Sequence, residues 1–422
     1  MHYECLPWIF AFKLVHVKSK LITRERTLIF ALFVIWGTNY STSFYYAIFL
    51  ILLCIFFYAI TVGRMRIPFG RKEDYIALSF LLVWLYGLIR GLILGNPLNY
   101  VTANFAGMVC YIFYFFLTTF HAGLFKLMKI LIIAGISVSV LSIILISIFI
   151  LGINNDALNL ILGESVWAIA STGQERVYFS NLAIAYPLMG YAFFLLFSNK
   201  KYIMFSIVIR KKNHAFFLFL VSLLALIFIS ASKGFVLGTI AVLFLIVFFT
   251  SINSLLRHKM NYIFIHSLLL IIVLYFTMIG SGYFSIVTEM FNSDDVSNNE
   301  RYKQLESILN DLSFMGNGLG AVVKGSIRSV DAPYGYELIY LNLVHKFGLF
   351  SIPLFAGWFY MFVKLVSSLY FKRSLPYSVL ALSALGYLFP AIGNPILMHP
   401  SLVILNCFVL YYIRKMRLKE CV

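Results

Sequence analysis

The chain is short of charge. Asp, Glu, Lys and Arg make up only 12% of its 422 residues, against roughly a quarter in a soluble domain. A water-exposed surface cannot be covered with so few charges, so a soluble globular protein is excluded. Acids are scarcer than bases, 16 against 33, which leaves a formal charge of +17. Cysteine is sparse as well. Of the five, Cys5 and Cys421 lie near the ends and Cys54, Cys110 and Cys407 lie in apolar runs. None falls in a long polar loop, so no disulfide framework is expected, and no Cys/His spacing points to a metal site. Low-complexity tails and clear internal repeats are missing, and so is a cleavable signal peptide. The first 26 residues carry Lys13, Lys18, Lys20, Arg24 and Arg26 but no small-residue cleavage site after a clean apolar core. The first span is expected to act as its own insertion signal.

What the chain has is apolar length. It is 62% hydrophobic, with 43 Phe and 27 Tyr. Runs of about 20 apolar residues read as membrane helices. Twelve are expected, near 27–38, 43–62, 75–95, 104–120, 127–152, 179–197, 215–231, 234–250, 262–280, 342–368, 377–393 and 401–413. The fold class is therefore an all-α integral membrane protein, one domain over 1–422. Alternate connections hold 25 of the 33 Lys and Arg residues. This is the positive-inside pattern, which puts both termini in the cytoplasm and the other connections outside. The excess charge is thus a topology signal, with membrane lipids as a secondary partner. No nucleic-acid partner is expected.

Two outer loops stand out, at about 153–180 and 281–341. The first contains Trp167 and the cluster GQERVYFSN with Arg176. In the second, Ser297 and Glu300 fit a capping box. Leu305, Ile308, Leu309 and Leu312 then follow at i, i+3, i+4, i+7, the pattern of an amphipathic helix on the leaflet or on top of the bundle. Gly316, Gly318 and Gly320 end it. This glycine cluster follows a helix rather than a strand, so it is not a dinucleotide fingerprint.

Outside the cell there is no ATP, so a reaction at these loops must take its energy from the substrate. Polyprenyl-diphosphate glycans carry that energy in their own leaving group. Such chemistry needs cations for the diphosphate, and Arg offers planar paired donors. The basic residues outside the cytoplasmic connections are few. Arg90, Arg176, Lys233 and Arg328 are candidates for binding diphosphate, and Arg301 for a catalytic role. A general base is also needed. Glu337, where the large loop meets the tenth span, is the candidate, with His345 and His399 behind it. Tyr334, Tyr336 and Trp167 are candidates to stack on sugar. Each has a plainer reading: a snorkelling Arg, a solvated helix face, a capped helix start.

Three segments in order carry a resemblance: SASKGFVLGTIAVLFLIVFF (230–249), NNERYKQLESILNDLSFMGNGLGA (298–321) and YELIYLNLVHKFGLFSIPLF (336–355). The chain resembles the O-antigen polymerase/O-antigen ligase superfamily of bacterial cell-envelope glycosyltransferases. The resemblance implies a GT-C-like architecture, with about 12 transmembrane helices and one large periplasmic loop. It implies transfer between undecaprenyl-diphosphate-linked glycans at the periplasmic face of the inner membrane, with no metal or cofactor. Lys233 matches the basic residue of the family's Ser-Arg/Lys-Gly turn, Arg301 the Arg that leads the loop helix, and Gly316, Gly318 and Gly320 its glycine turn. Ligases of the family carry a His shortly before the tenth span, whereas this chain reads PYGYELIY, so the polymerase branch is favoured. A lipid-linked donor, a lipid-linked acceptor and a chain-length regulator are the expected partners. A ligase and a lipid-linked oligosaccharide flippase remain as alternatives.

Overall fold

The computed structural model describes residues 69–120, 123–151, 167–169, 175–177, 180–198, 209, 211–230, 232–255, 296–323, 325, 333–369 and 375–420. It also describes 28, 30–37 and a few positions between 50 and 57. The helices are α1 (Lys72–Ile93), α2 (Leu98–Met108), α3 (Phe113–Thr119), α4 (Leu124–Ile150), α5 (Ala185–Phe197), α6 (Lys212–Leu223), α7 (Lys233–Leu255), α8 (Val296–Asn310), α9 (Ile339–Phe347), α10 (Ile352–Ser368), α11 (Leu375–Ala384) and α12 (Pro400–Glu420). The strands β1 (Trp167–Ile169) and β2 (Glu175–Val177) form one antiparallel ribbon that pairs Ala168 with Arg176.

Seven helical stretches among the described residues are long and apolar enough to cross a membrane. They are Lys72–Ile93, Leu98–Thr119, Leu124–Ile150, Lys212–Ile229, Lys233–Thr250, Ile339–Ser368 and Leu375–Ile392. Asn181–Phe197 is a shorter apolar helix, and α12 is a further long one. These stand where nine of the twelve runs were read. The run at 262–280 lies outside the described residues, and those at 27–38 and 43–62 are described only in part. At 1.5 Å per residue the 22 residues of α1 span about 33 Å, the thickness of a hydrocarbon core.

Between helices in lipid, close packing and polar contacts replace the hydrophobic drive. A Cβ on Gly190 of α5 would stand 2.0 Å from Ser383 Oγ of α11, so only glycine lets these two helices approach. Asn406 of α12 ties three segments: its Oδ1 accepts from Tyr387 at 2.5 Å and its Nδ2 donates to Tyr111 at 3.0 Å. The end of the bundle that carries the start of α1 is clamped by ions. Asp74 is fully buried, accepts from Arg414 of α12 at 2.6 Å and takes the Tyr114 hydroxyl at 2.6 Å. Beside it Tyr360 of α10 donates to Glu73 at 2.6 Å.

The tenth span is not one continuous helix. It breaks at Gly348, whose φ of +54° is a conformation open to glycine, and resumes after one tight turn as α10, near whose start stands Pro353. The apolar run 342–368 hid this break. Its consequence is a short separate helix, α9, that carries the Glu337 end of the span.

Candidate functional site

The site lies at the opposite end of the bundle from the Asp74–Arg414 clamp, where α1 ends. Its foundation is the glycine turn after α8. Gly316, Gly318 and Gly320 have φ of +71°, +76° and +75°. Backbone donors of the turn are spent on neighbours: Asn317 N–H donates to His345 O, Gly318 N–H to Lys346 O and Leu319 N–H to Gly87 O, each at 2.9 Å. Its carbonyls are taken by side chains, Gly316 O by Arg90 Nε at 3.2 Å, and Asn317 O and Leu319 O by Asn96 Nδ2 at 2.9 and 2.8 Å. The turn therefore strings α8 to both α1 and α9.

One face of α8 then closes along residues 336–345. Arg301, Gln304, Ile308 and Asp311 recur at i, i+3, i+7, i+10, which is one side of a helix. Arg301 Nε donates to Glu337 Oε2 at 2.6 Å. Gln304 is fully buried, and its Oε1 accepts the Glu337 N–H at 3.0 Å. Ile308 packs with Val323 and Tyr336. Asp311 pairs with His345 Nε2 at 3.0 Å. The face differs from the one read in the sequence. Ile308 is inside, but Leu309 and Leu312 are 50% and 42% exposed. The partner segment offers a carboxylate, a backbone N–H and an imidazole, and these select the polar side of the helix. Thus α8 is packed on the bundle.

Lys233 joins this end from a different direction. The helix before α7 widens into a π turn over Leu224–Ile229, and α7 starts afresh at Lys233. Gly234 sits so close to the Pro390–Asn394 turn that a Cβ there would stand 2.8 Å from Pro390 Cα and from Asn394 Nδ2. The far side of the same turn, Gly393, faces the Arg301 guanidinium, with Nε 3.4 Å from where a Cβ would be. One turn of chain thus separates the N-terminus of α7, with Lys233, from the Arg301–Glu337 pair. A cationic helix start and a guanidinium on either side of a small turn suit an anion. His399 does not add to this charge. Burial pushes its pKa down to about 4, which keeps it neutral at neutral pH.

The remaining sequence candidates divide. Arg90 stands at this end, but its Nε holds the glycine turn. Tyr336 is buried, and its hydroxyl accepts the Val323 N–H at 2.6 Å. Its ring is therefore packed inside the cluster with Ile308 and not offered to a sugar. Tyr334 is partly exposed and its ring lies 5.0 Å from that of Tyr100. Burial raises the pKa of both Tyr334 and Tyr336, so both hydroxyls stay protonated. Trp167 and Arg176 lie on the β-ribbon, whose second strand packs on α4. Arg328 lies outside the described residues.

Two pairings at this end escaped the sequence reading. Gln304 holds the Glu337 N–H, and its position one turn after Arg301 was the available signal. Lys346 is fully buried and donates to Asn104 Oδ1 and, at 3.0 Å, to Tyr334 O. An apolar run gives no signal for that pairing. No group of three or more His, Cys, Asp and Glu side chains suited to a metal occurs among the described residues. No protein-family model matches the chain, and no curated protein matches it.

Proposed function

We propose that this chain is a metal-independent glycosyltransferase of the bacterial inner membrane. On this reading it polymerises undecaprenyl-diphosphate-linked oligosaccharide repeat units into O-antigen or a related surface polysaccharide. Both termini face the cytoplasm and the reaction takes place at the periplasmic face. The observation that carries the reading is the 2.6 Å Arg301–Glu337 contact, set beside the start of α7 at one end of a membrane bundle. It joins a potential base to a potential diphosphate ligand where a lipid-borne substrate arrives.

The mechanism follows from that contact. At rest Arg301 occupies Glu337. The diphosphate of the donor, held by Arg301 and Lys233, competes for the guanidinium and leaves the carboxylate able to accept a proton. Glu337 takes the proton of the acceptor's terminal hydroxyl. That oxygen bonds to the donor's anomeric carbon as the carbon–oxygen bond to diphosphate breaks. The electron pair leaves with undecaprenyl diphosphate, whose charge the cations stabilise, and the anomeric centre inverts.

A cleft of about 290 Å³ supports a lipid substrate. It is lined by Val242, Tyr340, Phe355, Trp358, Leu385 and Phe389, among others. Tyr340 follows Glu337 by one turn, and Phe389 precedes the Pro390–Asn394 turn, so an apolar chain in the cleft has its head at the cations. The absence of a His in PYGYELIY favours the polymerase over the ligase.

Deletion of the gene in its host tests the reading, with surface polysaccharide separated on silver-stained gels. A single repeat on lipid A core without a ladder is expected. Loss of all attached glycan with polymer still accumulating on lipid points instead to a ligase. An unchanged ladder overturns both and returns the chain to the flippase reading.

A further inference from the structure

The amide of Gln304 is half used. It is fully buried, and its Oε1 accepts the Glu337 N–H at 3.0 Å. Its Nε2 has no hydrogen-bond partner and is closed to solvent. Rotating the amide does not cure this, because Nε2 would then face the same N–H, donor against donor. The orientation is fixed by the backbone of the residue that also carries the carboxylate. Nor can α8 slide to find a partner. Arg301 pins it to Glu337 on one side of Gln304, and Asp311 pins it to His345 on the other.

A buried donor left unpaired costs about 1–3 kcal/mol, and such a group in a native fold calls for an explanation. Other orphaned polar atoms among the described residues include Trp84 Nε1 and Thr239 Oγ1, which lie within the spanning helices. Gln304 differs in place. It stands one helical turn from Arg301, against the segment that bears Glu337. Two N–H donors that nothing in the fold satisfies point to an oxygen acceptor brought by a ligand.

We propose that Gln304 reads the glycan: its Nε2 donates to a hydroxyl or amide oxygen of the sugar that enters beside the Arg301–Glu337 pair. The inference rests on the polymerase reading and adds to it a specificity-determining residue. The diphosphate is held by cations, which do not distinguish one sugar from another. A neutral donor with fixed direction does distinguish them, because a sugar with no acceptor at that point leaves the amide unpaired.

The test uses the purified full chain in lipid nanodiscs. Its affinity is measured for undecaprenyl diphosphate alone and for the same lipid bearing one repeat unit. The variant is Gln304→Glu, which is isosteric. It keeps an oxygen for the Glu337 N–H and, when ionised, removes both donors. The wild type is expected to bind the glycan-bearing lipid at least tenfold more tightly than the bare lipid. Gln304→Glu is expected to lose that difference at pH 8, and to regain part of it at pH 5, where a protonated carboxyl again donates. Binding of the bare lipid at pH 5, where the introduced carboxyl is neutral, stays within about twofold of the wild type. A variant that keeps the wild-type preference overturns the role of Gln304 and leaves the polymerase reading standing. A variant that binds both lipids equally badly assigns Gln304 a purely structural role and also overturns it. A wild type that binds neither lipid overturns the polymerase reading and this inference together.

Discussion

At the residue scale the candidate site centres on two side chains that neutralise each other. Arg301 and Glu337 are 24% and 12% exposed, so their contact is shielded but reachable. Removing one partner has two effects that must be separated: it unpairs the other and, on the proposed mechanism, it deletes the base or the diphosphate ligand. Glu337→Gln keeps the size and hydrogen-bonding reach of the side chain while losing the base. Its expected outcome is normal membrane yield with elongation reduced by about 10²–10⁴-fold, the usual worth of a general base. Arg301→Lys keeps the charge but not the planar fork. It is expected to raise KM for the lipid diphosphate more than it lowers kcat. Steady-state rates on lipid-linked repeat units measure both. Arg301 was legible as a sequence candidate because basic residues outside the cytoplasmic connections are few, and Glu337 because it stands where the large loop meets the tenth span. Their contact was not, because 36 residues separate them and only the fold of the glycine turn brings α8 back over α9.

At the scale of elements the glycine turn is the part on which the site depends. Gly318 combines a φ of +76° with a Cβ position 2.3 Å from the Gly91 backbone N. Gly318→Ala pays about 1–2 kcal/mol for the left-handed conformation and in addition pushes the turn off α1. It is expected to lower the thermal midpoint in detergent and to abolish activity without touching a reacting group. At the other end of the bundle, Asp74→Ala leaves Arg414 buried without its carboxylate. Such losses cost about 3–5 kcal/mol. Thermal unfolding followed by fluorescence is expected to show a lower midpoint, partly recovered when Arg414 is also made Leu. The sequence revealed helices by length and apolarity, and it marked the end of α8 through a glycine cluster. The capping box read at Ser297 falls inside α8, which begins at Val296, so only the glycine cluster marked an end correctly. The sequence also misled about which face of α8 turns inward, since Leu309 and Leu312 satisfied a helical period while the true partners were polar. It also ran α9 and α10 together, because the residues around Gly348 are as apolar as a continuous span.

At the scale of the whole molecule, charge distribution predicts the sidedness that the chemistry needs. Lys303 is a well-exposed residue of α8, and Lys212 is exposed at the start of α6. In a cysteine-free background, Lys303→Cys is expected to react with a membrane-impermeant maleimide added to intact spheroplasts. Lys212→Cys is expected to react only after the membrane is opened. The reverse pattern puts the Arg301–Glu337 end in the cytoplasm and contradicts a reaction at the periplasmic face. The seven helices long and apolar enough to cross a membrane were legible because a bilayer imposes length and apolarity on a span. The candidate site was less legible, since it rests on residues drawn from α7, α8, the segment before α9 and the Pro390–Asn394 turn.

The central claim is that this membrane bundle joins lipid-linked glycans with Glu337 as base. The most direct measurement incubates the purified protein in lipid nanodiscs with a single lipid-linked repeat unit and resolves the products by mass. The account predicts a ladder of multimers with release of undecaprenyl diphosphate from the wild type, and unchanged monomer with Glu337→Gln. A ladder of equal length and rate from Glu337→Gln, or none from the wild type, contradicts it.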